Sequence, residues 1–327
     1  MTPWTVALTG ATGFIGSAVL QRLLGRPSPV GGPVQVRVLM RRTGVALPGG
    51  GAVRQIRGDL ADAASLTALL DGADALVHTA SYVGKDAERC EAVNLRGTAD
   101  VMAAARASAL ERIVHLSTAA VYGAGPHRGI DVDAVVPQPV SAASRTRLMG
   151  ERFALDAGAL VLRPGLVIGE GDRWVVPAYA ELAERVLPEW LGGTGLLSVV
   201  DVGDLARLVA AAATATTTAR GVQHAAHPEP VSTGQLRKTL SAHGLVAPAR
   251  GSADWDECRA LVAHSQGRYG ERQLELLSLD HFYLSERIWQ LLDTEPGPGP
   301  LARLDEAADW YRHALAERGQ GAGAGSS

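Results

Sequence analysis

Thr9-Gly10-Ala11-Thr12-Gly13-Phe14-Ile15-Gly16 decides the fold. A β-branched apolar run at 5–8 leads into it, and an apolar helical pattern at 15–24 follows. Glycines between a strand and a helix allow a tight turn and let main chain come close to a diphosphate. The helix N-terminus then adds N–H donors and a partial positive charge. A glycine triplet alone carries little information. In this strand–turn–helix setting it predicts a dinucleotide site built from Gly10, Thr12, Gly13, Phe14, Ile15 and Gly16.

Working outward, 34–40, 53–56, 75–78, 113–117 and 160–162 read as further strands, with helical patterns at 63–70, 89–107 and 144–156 between them. Alternation of this kind predicts an α/β fold, a Rossmann-type doubly wound parallel sheet with right-handed crossovers. After Arg163-Pro164 the regularity loosens. Residues 1–165 are expected to form the nucleotide-binding domain, with 199–220 returning to it. An alanine-rich helix over 210–219 is expected to end near Gly221, leaving His224 and His227 in a loop. The smaller region 166–319 is expected to be mainly helical and to bind substrate, and 320–327 to be a disordered tail.

The end of the second strand discriminates between nicotinamide cofactors. A carboxylate there would bond an unmodified ribose, but the chain has Leu39-Met40-Arg41-Arg42. A guanidinium fork suits a 2′-phosphate, so Arg41 and Arg42 point to NADPH; otherwise they are solvated surface arginines. Asp59, after the third strand, reads either as a contact to the adenine edge or as a helix cap. The formal net charge of -3 gives no support for a nucleic-acid or anionic-membrane partner. Cys90 and Cys258 read as two free thiols, which fits a cytoplasmic protein. Strand-like sequence from Trp4 leads us to expect no signal peptide, and no apolar run reaches the ~20 residues that span a bilayer. None of the histidines has metal-ligating spacing.

Five further motifs occur in one order: Gly58-Asp59-Leu60, His78-Thr79-Ala80, Asn94-Leu95-Arg96-Gly97-Thr98, Ser117-Thr118 to Tyr122-Gly123, and Leu162-Arg163-Pro164 to Gly169. With the glycine turn, the series resembles the extended short-chain dehydrogenase/reductases across 4–220. Trp310-Tyr311-Arg312 resembles the closing segment of that family. The resemblance implies that Leu60, Thr79 and Ala80 join Asp59 around a nicotinamide cofactor. It also implies that Thr118 is the active-site hydroxyl and that Asn94 supports the residue at 147. The helix Pro139 to Glu151 should then carry the family's Tyr and, four residues on, its Lys. Those positions hold Ala143 and Arg147, with Glu151 confirming the register. Residues i and i+4 share a helix face, so the geometry survives while the proton donor is gone.

Hydride transfer to a ketone leaves an alkoxide that must be stabilised and protonated. Loss of a positioned general acid costs ~10²–10⁴ in rate. Arg147 cannot release a proton at neutral pH, because its pKa exceeds ~12; it would hold ribose hydroxyls or offset negative charge. Among hydroxyls Thr118 is best placed, with Ser117, Ser81, Tyr82, Tyr122, Ser141 and Ser144 also available. A third source is the substrate: a phenol beside the ketone has a pKa of ~10, like the missing tyrosine. This leads to the expectation of an NADPH-dependent ketoreductase acting on an aromatic polyketide ketone, angucyclinone-like, in antibiotic biosynthesis. The alternatives are an inactive NADPH-binding sensor or scaffold and a sugar epimerase or dehydratase. The last needs acid/base groups that Ala143 does not provide. Ser81, Tyr82, Trp174 and Tyr179 are expected to line the substrate pocket, with 254–277 covering it. Monomer and homodimer are both left open.

Overall fold

The computed structural model describes residues 3–42 and 45–323, with side chains through 317. The chain runs β1 (Thr5–Thr9), α1 (Phe14–Leu24), β2 (Gln35–Met40), β3 (Val53–Arg57), α2 (Ala63–Leu70), β4 (Ala75–His78), α3 (Ala87–Cys90), a π-helical segment (Glu91–Gly97), α4 (Thr98–Ala107) and β5 (Ile113–Leu116). It continues through a 3-10 turn (Ala119–Tyr122), β6 (His127–Ile130), α5 (Ala142–Asp156), β7 (Leu160–Arg163), β8 (Leu166–Ile168), α6 (Val175–Arg185), β9 (Glu189–Trp190), β10 (Leu196–Leu197) and β11 (Val199–Asp201). The last part comprises α7 (Val202–Thr214), β12 (Gly221–His224), β13 (Val231–Ser232), α8 (Thr233–Ala242), β14 (Ser252–Ala253), α9 (Trp255–Ala263), α10 (Glu271–Ser278), β15 (His281–Tyr283), α11 (Glu286–Leu291) and α12 (Leu304–Gly323).

Seven parallel strands make one sheet in the order β12-β7-β5-β4-β1-β2-β3. Val6 and Leu8 of β1 enter a core shared with α1 and α7, while Ala7 enters another with α2 and α4. Burial on both faces is why β1 is apolar without alternation. Strand order reverses between β1 and β4. Ligands of doubly wound sheets bind at that switch point, beyond the C-terminal strand ends. A third core lies under α6, α8, α9, α10 and α12. Beside it a four-stranded sheet, β13-β10-β15-β6, interrupts the region expected to be mainly helical.

Three expectations need correction. β11 pairs with β8, not with the seven-stranded sheet. The residues that do return are α7, packed on α1, and β12, which adds an edge strand beside β7 and ends at His224. Helix α7 stops at Thr214, well short of Gly221. The Thr214 hydroxyl bonds back to the Ala210 carbonyl (2.8 Å) and accepts from Arg26 (2.7 Å), and Thr216 to Thr218 disfavour further helix. Third, 89–107 is not one regular helix. It widens into a π-helical segment where α5 crosses so closely that a Cβ on Gly150 would lie 2.5 Å from the Asn94 carbonyl. The expected disordered tail overlaps the end of α12 at 320–323, and 324–327 lie outside the described residues.

The closing helix is tied to the sheet region by one tyrosine. Tyr311 accepts from the Gly169 N–H (2.8 Å) and donates to Asp172 (3.0 Å). Asp172 in turn caps α6, accepting from the N–H groups of Trp174, Val175 and Val176. Burial raises the Asp172 pKa against the pull of those bonds. Replacing Tyr311 with Phe leaves the buried Gly169 N–H without this acceptor and removes one donor from Asp172. Urea unfolding should show Tyr311→Phe to be destabilised by about 1–3 kcal/mol.

Candidate active site

The glycine turn brings the ends of β1 and β4 together. Gly10 has φ 78°, and a Cβ there would lie 2.6 Å from the Ala80 nitrogen. A Cβ on Gly16 would lie 2.1 Å from the Gly10 oxygen and 2.7 Å from the Thr79 hydroxyl. Thr79 donates to the Thr9 carbonyl (2.7 Å). Thr12 and Gly13 are exposed, Phe14 and Ile15 half-buried, and the first turn of α1 has no side-chain cap. Its N–H groups are therefore available to an anion, and the cradle fits a dinucleotide. Arg41 and Arg42 are exposed just past β2, on the same edge of the sheet.

Asp59 is exposed and accepts from the Ala61 N–H (3.2 Å); the cap of α2 is Asp62 instead. Leu60 is half-buried, and a Cβ on Gly97 would come within 2.9 Å of it. His78 is buried between the hydroxyls of Thr9 (2.7 Å) and Thr98 (3.0 Å), tying β1 to α4.

Ala143 and Arg147 lie on α5, whose start is fixed by a capping box between Ser141 and Ser144. Arg147 points into the sheet. Its Nη2 donates to the carbonyls of Leu116 (3.1 Å) and Ser117 (2.5 Å), where β5 ends. Burial lowers its pKa to about 10 against the pull of Glu151, so it carries its charge at neutral pH. Thr118 caps the following 3-10 turn by accepting from the Ala120 N–H (3.1 Å). That leaves its own O–H to donate. Asn94 does not hold Arg147, as the resemblance implied. It grips the Tyr82 main chain through both amide ends (2.7 and 2.8 Å) and donates to Thr146 (3.1 Å).

Two of the candidate hydroxyls are turned away from the strand end and into the interior. Ser117 donates to Glu151, and Tyr122 is bound by Arg163 (2.8 Å). Ser141 and Ser144 are engaged with each other at the start of α5. Glu151 and Arg163, only 2% and 5% exposed, form a forked ion pair: Nε to Oε1 at 3.0 Å and Nη2 to Oε2 at 2.6 Å. Burial opposes the charge on Arg163, but its bonds to Glu151 prevail and raise its pKa. The network continues from Tyr122 to His224 (2.7 Å) and on to the Leu284 carbonyl (3.0 Å). A carbonyl only accepts, so His224 Nδ1 carries the proton and Nε2 accepts from Tyr122. Sequence reading used Glu151 only to set the register. The available signal was a charged residue closing the apolar strand Leu160-Val161-Leu162.

The aromatic expectations divide. Tyr179 lines no pocket: it is fully buried, 4.6 Å from Trp190 ring to ring, with its hydroxyl toward the Thr233 carbonyl (3.4 Å). Trp174 is half-buried at the start of α6, Ser81 is exposed, and Tyr82 is half-buried under Arg89. The expected cover at 254–277 packs on α6. Arg185 donates to the carbonyls of Val262, Ser265 and Tyr269, and Glu181 accepts from the N–H groups of Arg268 and Tyr269.

Residues 6–224 match the pattern of the NAD dependent epimerase/dehydratase family. The chain belongs to that family. Among individual proteins it is 32% identical over 194 residues to the 2-alkyl-3-oxoalkanoate reductase of Stenotrophomonas maltophilia, covering 55% of this chain and 56% of that one. It is 29% identical over 210 residues to the 4-hydroxy-2-methyl-3-oxo-4-farnesyl-3,4-dihydroquinoline-1-oxide ketoreductase of Stigmatella aurantiaca, 61% of each chain. The chain thus matches little more than half the length of such relatives. In three dimensions it is similar to the UDP-glucuronic acid 4-epimerase from Bacillus cereus in complex with NAD. That likeness has TM-score 0.71 and 20% identity and covers 95% and 99% of the two chains, which establishes the fold. Among the described residues no helix is long and apolar enough to cross a membrane.

The two buried histidines of the network and the cradle predict acid sensitivity. Burial, then Arg147, lowers the His78 pKa to about 4; burial, with Arg163 assisting, lowers that of His224 to about 4. Both are neutral when folded, whereas an unfolded histidine titrates near ~6.5. Their stabilisation is complete above the unfolded value and is lost as pH falls from there toward the folded value. Each should cost on the order of 2 kcal/mol at pH 5 relative to pH 7. Urea unfolding at those two pH values measures this, with a smaller loss expected for His224→Gln.

Proposed function

We propose that the chain is an NADPH-dependent ketoreductase of antibiotic biosynthesis. Its substrate is a ketone of an angucyclinone-like aromatic polyketide with a neighbouring phenol. One observation carries the reading. The nucleotide cradle is complete, while position 143 offers only a methyl group and Arg147 is engaged with the main chain of β5. A protein of this kind holds cofactor and ketone but has no tyrosine at that position with which to protonate an alkoxide.

The cofactor, held at Gly10 to Gly16, Thr79 and Ala80, would supply the hydride. Thr118 then donates a hydrogen bond to the substrate carbonyl and orients it. The fixed charge of Arg147 offsets the negative charge that develops there. The neighbouring phenol polarises the ketone beforehand and protonates the alkoxide afterwards, its pKa of ~10 matching that task. The two relatives named as reductases, one of a 3-oxo dihydroquinoline, support ketone reduction. The reading also rests on a resemblance to the angucyclinone ketoreductase of simocyclinone biosynthesis, which likewise lacks the tyrosine.

NADPH oxidation with mass detection of the alcohol tests the proposal. A ketone whose neighbouring phenol is methylated should be reduced ~10²-fold more slowly; equal rates would refute the substrate's part. Tight cofactor binding without turnover on any such ketone would indicate a sensor or scaffold instead.

The arginine pair gives a second test. NADPH should bind more tightly than NADH, and the Arg41→Ala/Arg42→Ala variant should lose about tenfold or more in NADPH affinity with little change for NADH. Titration of cofactor fluorescence reads both.

A further inference from the structure

Thr118 stands between two residues that are held by the same buried ion pair. On one side, Ser117 donates its hydroxyl to Glu151. On the other, Tyr122, which closes the 3-10 turn that Thr118 caps, accepts from Arg163 (2.8 Å). Glu151 and Arg163 are joined by two hydrogen bonds, so side chain and main chain form a closed loop around Thr118. The same loop is gripped from α5 a second time, because Arg147 binds the Ser117 carbonyl.

This arrangement does more than fill space. A buried ion pair adds little net stability compared with well-packed apolar residues, but it has strict directional demands. Here those demands fall on Ser117 and Tyr122, which bracket Thr118 on either side of the turn it caps. His224 extends the constraint to the Leu284 carbonyl just beyond β15, so the substrate side of the fold shares it.

We infer that Glu151 and Arg163 are positioning residues that act through Ser117 and Tyr122 to aim the Thr118 hydroxyl at the substrate carbonyl. The inference rests on the reading of Thr118 given under Proposed function. An orienting hydroxyl is sensitive to small displacement, since a shift of about 1 Å costs up to ~10² in rate.

Ser117→Ala and Tyr122→Phe each cut one arm of the loop without uncovering a buried charge. They therefore carry the test even where Glu151→Gln fails to fold. Each should lower kcat about tenfold, with KM and the Kd for NADPH changed less than about twofold. In the Thr118→Ala background Ser117→Ala should cost nothing further. Hydrogen exchange of the peptide 116–123 should rise in both variants while the glycine turn stays protected.

Unchanged kcat, additive losses, or a parallel fall in cofactor affinity and KM would each overturn the positioning role. A parent protein with no turnover would refute the reductase reading alone. Exchange in 116–123 would then decide the clamp, raised exchange supporting it and unchanged exchange overturning it.

Discussion

The buried pairing of Glu151 with Arg163 locks helix α5 to the end of β7, and much of the surrounding structure hangs on it. Glu151 comes from α5, over one face of the sheet, and Arg163 ends the strand at which the regular alternation stops. Leaving either charge unpaired in that setting would cost about 3–5 kcal/mol, so the helix and the strand end must keep one relative position. The loop after β5, the 3-10 turn and the end of β12 all attach to it. Main-chain grips then spread outward: Arg147 on the end of β5, Asn94 on the segment after β4, and Tyr311 on the loop after β8.

The chemistry is subtractive at one position and conservative around it. The cradle for a dinucleotide demands glycine where a Cβ would collide with main chain, and the chain supplies it. Helix α5, where the resemblance implied a tyrosine, is capped and carries Ala143. Arg147 turns away from proton transfer and becomes a fixed charge on the main chain of β5. Thr118 alone among the hydroxyls named for the site combines a cap, which orients it, with a proton left to give.

Much of this was legible beforehand, for reasons that differ by residue. The strands β1 to β5 and helices α1 and α2 follow from local periodicity, and the glycine turn from backbone conformations open to few other residues. Thr118 and the substitution at 143 were legible through fixed spacing from motifs on either side. β12 was not, because His224 and its neighbours form an edge strand whose pattern looks like a loop until β7 lies beside it. The interior partners of Tyr179 and Tyr122 were not legible for a related reason. A tyrosine looks alike in sequence whether its hydroxyl meets ligand, a carbonyl such as that of Thr233, or an arginine such as Arg163.

The order of motifs along the chain was enough to expect the parallel sheet and the dinucleotide turn, because strand and helix periods and the glycine spacing are written within short stretches, and it shows alanine at 143 directly. Folding in three dimensions settled where Arg147 points, which hydroxyls are engaged with interior partners, and that Glu151 meets Arg163. Those outcomes depend on side chains 12 to 34 positions apart, such as Ser117 and Glu151, being buried together. The direction of a buried polar group is set by which partners the packing brings within reach, and no local pattern records them.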